Sequence, residues 1–163
     1  MLEASKAKDL KTEIDELAKK KQGQPTISWQ RLSNCSTSRS TTGWAFIYRL
    51  ENSPQQAILV LGSFEGAMTP HTRIPLHQGI CGAAASTGKT VVVDEVSKDP
   101  RYLACSLETK SEIVVPIFVR GKVAGELDID SHVHAAFKEE DRELVEYCAK
   151  LVGQRLDRDS NKE

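Results

Sequence analysis

Three acidic residues in the C-terminal half of the sequence are spaced so that they can act together. Asp128 and Asp130 alternate with Leu127 and Ile129 in the segment GELDID. Because successive side chains of a β-strand point to opposite faces, both acids share one face of this predicted strand. Glu112 begins the preceding strand-like segment, SEIVVPIFV, and antiparallel pairing brings it toward the same end of the sheet. Clustered carboxylates repel one another, so one of them can keep a proton at neutral pH and serve as a general acid. A solvated face of structural acids stays an open alternative.

The second group of residues that could do chemistry consists of the four cysteines, Cys35, Cys81, Cys105 and Cys148. Cys81 lies at the start of a short helix of small residues, where backbone N–H dipoles favour the thiolate form. Cys105 follows the turn-like segment DPRYLAC. The alternative for both is an inert buried thiol, which is the commoner state of a cysteine. Cys148 falls on the apolar stripe of a helix, which predicts a core thiol, and Cys35 lies in a polar loop without a predicted role.

His132 and His134 are the residues most open to a metal-binding interpretation. On a strand they would point to the same face, beside Asp128 and Asp130. No further nitrogen or sulfur ligand lies at a diagnostic spacing, however, and the segment from Ser131 is typical of a strand exit. We therefore expect two solvated histidines and no metal.

Two predicted hairpins and a short helix would position the acids and the two central cysteines. The first hairpin joins GWAFIYRLE to AILVLGSFEG, and the second joins SEIVVPIFV to KVAGELDID through a tight turn at Arg120 and Gly121. Pro116 lies inside the second hairpin, which predicts a sheet edge or a bulge there. The segment GICGAAAS predicts a short helix ending at Gly88, and a short buried strand follows over residues 90–93.

Helices are predicted at both ends of the chain. Apolar residues Leu10, Ile14 and Leu17 follow one stripe, which predicts an amphipathic helix within residues 1–24, followed by a polar loop over 25–42. The closing helix is predicted from Glu139 to about Leu156, with residues 157–163 as a disordered polar tail. This order of elements predicts an α+β fold. In it, the N- and C-terminal helices pack on one face of a mainly antiparallel sheet.

Composition narrows the class of protein. The chain has 163 residues, of which 39% are hydrophobic, and this fits one globular domain. Its net charge of −1 argues against a nucleic-acid binder, since such proteins carry a basic stripe. The apolar run over residues 113–119 is too short to cross a bilayer. The charged N-terminal stretch has no signal-peptide pattern, so we expect a cytosolic protein that binds no membrane.

Several separated motifs in one order resemble the free methionine-R-sulfoxide reductases, a branch of the GAF-domain superfamily. They are RIPLHQGICGAAAS, YLACS, SEIVVPI and GELDIDS, together with WAFIY upstream and FKEEDRELVEYCAKLV at the closing helix. The similarity covers residues 43–156, and motifs that recur in order are far more specific than any one of them. The resemblance implies a single GAF-like catalytic domain over this range.

The resemblance also implies roles for individual residues. Cys105 matches the cysteine that attacks the sulfoxide sulfur, and Cys81 matches a partner cysteine that forms a disulfide with it. The acids Glu112, Asp128 and Asp130 match residues that bind the sulfoxide oxygen and the amino group of the substrate. Trp44 and Tyr48 match the aromatic wall around the methyl thioether. The implied reaction needs no bound cofactor and takes its reducing equivalents from thioredoxin or another dithiol, and a homodimer is expected.

Two departures from this family keep another interpretation open. Many members carry a third cysteine ten residues before the cysteine of the GICG segment, and here that position is His71. The polar loop over residues 25–42 replaces a longer apolar helix. The alternative is a GAF module without enzymatic activity, which binds a small ligand and reports its occupancy.

Overall fold

The computed structural model describes residues 43–104 and 106–161, and of Glu65 the backbone alone. The predicted N-terminal helix (1–24), the polar loop (25–42) and Cys105 lie outside the described residues. The strands are β1 (Gly43–Asn52), β2 (Ala57–Glu65), β3 (Arg73–Pro75), β4 (Val91–Val93), β5 (Ser111–Val119) and β6 (Lys122–Ser131), and the helices are α1 (Gly79–Thr87) and α2 (Glu139–Ser160). A single turn of 3₁₀-helix spans Val96–Lys98.

The six strands form one antiparallel sheet in the order β3-β2-β1-β6-β5-β4. Both predicted hairpins are confirmed, as β1 with β2 and β5 with β6. The tight turn of the second hairpin places Arg120 and Gly121 at positive φ angles of 51° and 76°, the backbone that matches the twist of paired strands. At Pro116 the strand β5 has already passed the end of β4, so the missing proline N–H falls at an edge, as predicted.

The two faces of the sheet have different coverings. On one face, α2 packs Leu144, Cys148 and Val152 against Ile113 and Leu127. This confirms the predicted core position of Cys148 and places the C-terminal helix on one face of the sheet. On the opposite face, α1 lies over the side chains of alternating residues, with Ile80, Cys81 and Ala84 packed in a second cluster with Phe46 and Tyr48. The predicted α+β class is confirmed, and the acids of β5 and β6 all lie on the α1 face.

The closing helix is longer than its apolar stripe predicts. We expected it to end near Leu156, but α2 continues to Ser160, so residues 157–160 are helical rather than part of a tail. A polar contact explains the difference, since Asp157 accepts a hydrogen bond from the Arg120 guanidinium at 2.6 Å and thereby holds the last turn to the β5–β6 hairpin. Within the described part of the chain, no helix has the length and apolar character needed to cross a membrane.

Candidate active site

Four carboxylates line the α1 face of the central strands. Glu126, Asp128 and Asp130 follow one another at alternate positions of β6, and Glu112 of β5 pairs directly with Asp130. The predicted proximity of Glu112, Asp128 and Asp130 is therefore confirmed. Glu126 was missed, although the alternation that placed Asp128 and Asp130 on one face extends to it two residues earlier in GELDID. We call these four residues the acid row.

The acid row is buried without a compensating cation among the described residues. All four side chains are at most 4% exposed, and no described lysine, arginine or histidine lies within 4 Å of any of their carboxylates. Burial is accordingly the largest influence on each group, because it penalises the charged form. It raises the pKa of Asp128 to about 7 and raises the pKa of Glu112, Glu126 and Asp130 well above the usual value. The negative charge of Asp128 adds to the rise for the other three.

Cys81 faces this row from α1. It is the third residue of the helix, and its Sγ donates a hydrogen bond to Oδ2 of Asp128 at 3.4 Å. Burial raises the pKa of the Cys81 thiol well above its usual value, and the charges of Asp128, Glu126 and Glu112 raise it further. The expectation that the helix start favours a thiolate is therefore wrong. The N-terminal dipole contributes only about 0.3–1 kcal/mol, which desolvation and neighbouring carboxylates outweigh.

The aromatic residues of β1 border the acid row on the side away from β5. Trp44 pairs with Asp130 and Tyr48 with Glu126 in the β1–β6 register, so both predicted wall residues lie beside the acids. Tyr48 is fully buried, and its hydroxyl donates a hydrogen bond to the His71 carbonyl at 2.8 Å. Trp44 is half-buried, and a side chain at Gly66 would collide with its ring.

His132 is a second residue that sequence reasoning placed incorrectly. We expected a solvated side chain, but His132 is 15% exposed and meets the Trp44 ring edge-on, with ring centroids 4.9 Å apart. The cause is that β6 ends at Ser131, which turns His132 back over Trp44 while His134 stays exposed. In the described ranges 43–104 and 106–161, the two histidines form no metal-binding group with Asp128 and Asp130. Cys81, Glu112 and Asp128 do form such a group.

The segment that carries Cys105 is tied to the domain on both sides of that residue. Ala104 offers its carbonyl to Nε2 of His71 at 3.2 Å, and Ser106 accepts a hydrogen bond from the Tyr102 hydroxyl at 3.2 Å. His71 thus joins the 66–72 loop to the residue that precedes Cys105. His71, at which this sequence departs from the family that it resembles, thus contacts the segment of the predicted nucleophile.

Comparison with known proteins agrees with this architecture. The GAF domain model matches residues 32–156. The chain is 43% identical over 110 residues to the free methionine-R-sulfoxide reductase of Saccharomyces cerevisiae, covering 67% of this chain and 60% of the yeast protein. It is 36% identical over 113 residues to the enzyme of the same name from Escherichia coli, covering 67% and 66% of the two chains.

A solved structure extends the similarity to nearly the whole domain. The free methionine-R-sulfoxide reductase from Neisseria meningitidis, determined in complex with its substrate, superposes with a TM-score of 0.76 at 32% identity. The match covers 96% of this chain and 93% of the Neisseria chain. The chain spans 60% of the length of the yeast protein and 66% of the Escherichia coli protein that it matches. The chain belongs to the GAF-domain family and, within it, to the free methionine-R-sulfoxide reductases.

Proposed function

We propose that this chain reduces free methionine (R)-sulfoxide to methionine by thiol chemistry. The observation that carries the proposal is the acid row, four buried carboxylates beside an aromatic wall with no described cation in contact. A site of this charge favours a ligand that brings a positive group and a proton acceptor. A free amino acid with a sulfoxide oxygen supplies both. The reductases of yeast and Escherichia coli carry this activity in their names, and the Neisseria structure holds its substrate.

The acid row would favour a free amino acid over a peptide as substrate. The substrate ammonium pairs with an ionised member of the row and offsets its desolvation, whereas peptide-bound methionine sulfoxide has an amide at that position and leaves the carboxylate uncompensated. Glu112, Asp128 and Asp130 are the acids that we assign to the ammonium and the sulfoxide oxygen. Trp44 and Tyr48 would enclose the methyl thioether.

A protonated carboxyl group of the row would start the chemical step. Buried and clustered acids stay protonated near neutral pH, so one of them can donate a proton to the sulfoxide oxygen and make the sulfur more electrophilic. The Cys105 thiolate attacks that sulfur and forms an S–S bond, while the S–O bond of the substrate breaks and the protonated oxygen leaves as water. Water then attacks the Cys105 sulfur, the S–S bond breaks and methionine leaves, so Cys105 becomes a sulfenic acid. The substrate is thereby reduced by two electrons and the cysteine is oxidised by two.

Cys81 is assigned the resolving step. Its sulfur attacks the sulfenic sulfur of Cys105, a disulfide forms and water leaves. Because the thiol of Cys81 is buried and protonated, it must lose its proton in this step, and Asp128 is the acceptor that its hydrogen bond already selects. A thioredoxin-like dithiol then reduces the disulfide in the cytosol, without a prosthetic group. The predicted homodimer stays a prediction.

The coupled consumption of NADPH by thioredoxin reductase, thioredoxin and this chain tests the proposal. We expect consumption with the free R epimer and none with the S epimer or with a peptide-bound sulfoxide. Cys105→Ser should abolish it, whereas Cys148→Ser, which alters a thiol on the far face, should not. Activity that survives Cys105→Ser removes the nucleophile assignment.

The second candidate is the ligand-binding GAF module, which His71 in the third-cysteine position favours. Absence of turnover with thioredoxin and with dithiothreitol, combined with tight binding of a small ligand by calorimetry, would establish it instead.

A further inference from the structure

Three side chains at one end of the acid row have the donor atoms and spacing of a metal site. Cys81 of α1, Glu112 of β5 and Asp128 of β6 each offer one ligand atom, and all three atoms lie within 4.8 Å of one another. All three residues are buried, so water competes poorly for an ion held there. They come from three different elements of the sheet and its covering helix, which fixes their positions more firmly than a loop would.

The distance between the ligand atoms of Cys81 and Asp128 already matches the distance between two ligands of one zinc ion. Zinc bonds of about 2.3 Å to sulfur and about 2.0–2.2 Å to carboxylate oxygen, at a tetrahedral angle, separate the two ligands by roughly 3.5 Å. Cys81 Sγ and Asp128 Oδ2 lie 3.4 Å apart. A carboxylate oxygen of Glu112 lies within 4.8 Å of both of these atoms, so a three-ligand site requires it to move closer by about 1 Å at most.

An independent observation at Glu126 points to a missing cation. Glu126 is fully buried, and neither of its carboxylate oxygens meets a hydrogen-bond partner in the described part of the chain. Oδ1 of Asp128 is likewise buried without a hydrogen-bond partner among the described residues. Glu126 and Cys81 lie close enough to influence each other's pKa, so Glu126 borders the same group of ligands. Buried carboxylates without partners are costly, and a cation placed among them would satisfy them.

We infer that Cys81, Glu112 and Asp128, backed by Glu126, bind a divalent cation of the zinc type. The donor set selects the ion, because thiolate sulfur suits Zn²⁺ or Cd²⁺, whereas Mg²⁺ and Ca²⁺ require oxygen ligands throughout. Binding displaces the thiol proton of Cys81. The ion occupies the acids and the thiol that the proposed reaction uses, so it acts as a reversible inhibitor rather than as a cofactor. The binding itself does not depend on the proposed function.

Cadmium binding to the 163-residue chain tests this inference without any turnover. The protein is stripped with EDTA, kept reduced with a phosphine, exchanged into chelator-free buffer and titrated with Cd²⁺ while sulfur-to-cadmium charge-transfer absorption is followed in the ultraviolet. We expect a band that saturates at one ion per chain, is displaced by Zn²⁺ and is unchanged by Mg²⁺. Cys81→Ser should abolish the band, and Glu112→Gln should weaken cadmium binding by more than about tenfold.

Serine variants of the other cysteines and a second assay distinguish loss of the metal site from loss of the fold. Cys35→Ser, Cys105→Ser and Cys148→Ser each remove one other thiol and should leave the band intact. In the unmutated chain, Zn²⁺ should slow alkylation of Cys81, located by mass spectrometry, while Cys148 is unaffected. A band lost with any other cysteine but not with Cys81, or alkylation of Cys81 that Zn²⁺ does not slow, overturns the inference. Failure of the reductase assay leaves this result untouched, so the two proposals fail separately.

Discussion

The two faces of β5 and β6 are built from neighbouring residues and are equally buried, yet they differ completely in chemistry. On the α2 face, Ile113 and Leu127 pack with a cysteine, Cys148, in a cluster of buried hydrophobic residues. On the α1 face, Glu112 and Asp128 surround Cys81 with carboxylates. Burial of the first face stabilises the fold, whereas burial of the second costs desolvation energy. This cost supports the proposal that the α1 face is the functional site, because a fold keeps such a cost where a ligand repays it.

The largest effect on stability is expected when an acid is placed on the apolar α2 face. Ile129→Asp puts a carboxyl group into the α2 core, where neither partner nor ligand can compensate it, and we expect a loss of about 4–5 kcal/mol or more in unfolding free energy. Urea unfolding followed by circular dichroism measures this. Ile129→Val, which keeps the core apolar, should cost only about 0.5–1.5 kcal/mol. Normal folding of Ile129→Asp would mean that the two faces do not differ as described.

Removing an acid from the correct face should have opposite effects on stability and activity. Asp128→Asn keeps the shape of the side chain but removes the buried charge, so unfolding free energy at pH 8 should rise, by a few kcal/mol if the amide finds a partner. Under the proposed function, kcat/KM for the free sulfoxide should fall by roughly 10²–10⁴. Urea unfolding and the coupled NADPH assay give the two values. A variant that is both less stable and fully active would contradict the assignment of the acid row as a site.

The acid row of the α1 face should make the largest contribution to the loss of stability as pH rises. A carboxyl group whose pKa is higher in the folded than in the unfolded chain holds its proton more tightly when folded, so its stabilisation is complete below the unfolded pKa and is lost as pH rises. For Asp128 the loss should run from about pH 4 to about pH 7.

Urea unfolding at intervals between pH 4 and pH 8, with a chelator present, measures that loss. Asp128→Asn should flatten the profile in this window, whereas Glu143→Gln, at an exposed position of α2, should leave it as it is. A profile that rises with pH between 4 and 7 and does not respond to Asp128→Asn would reverse the argument.

Hydrophobic periodicity predicted most of the fold and only part of the site. Alternation in GELDID placed Asp128 and Asp130 on one face, because the period of a strand is local and follows directly from the sequence. The protonated state of Cys81 was beyond such reasoning. It depends on β6 lying under α1, 47 residues away along the chain, and the helix start alone predicted the opposite. His132 was misplaced for a similar reason, since its contact with Trp44 depends on where β6 ends.

The two buried cysteines, Cys81 on the α1 face and Cys148 on the α2 face, should respond differently to replacement by serine. Under the proposed function, Cys81→Ser should still release about one methionine per chain in a single turnover but should slow steady-state turnover with thioredoxin, because only the resolving step is lost. Cys148→Ser should leave both rates unchanged and cost about 1–3 kcal/mol in unfolding free energy, since a hydroxyl replaces a thiol in an apolar core. Rapid-quench measurement of methionine separates the two phases. Equal effects of the two variants on steady-state turnover would mean that Cys81 has no special role.

The smallest expected effect concerns how each face holds the loop beside it. On the α1 side, His71 binds the Ala104 carbonyl next to Cys105, and on the α2 side Arg120 binds Asp157 beyond the far hairpin. Each of these hydrogen bonds is partly exposed to solvent, so His71→Ala and Arg120→Ala should each lower the unfolding free energy by about 0.5–1.5 kcal/mol. Under the proposed function, only His71→Ala should lower kcat/KM, by several-fold, because of these two contacts only that of His71 holds the segment of the predicted nucleophile. His71→Gln, whose amide can donate to the same carbonyl, should restore most of the loss. An equal decrease in kcat/KM for Arg120→Ala would mean that general loosening of the domain, rather than the position of Cys105, limits the reaction.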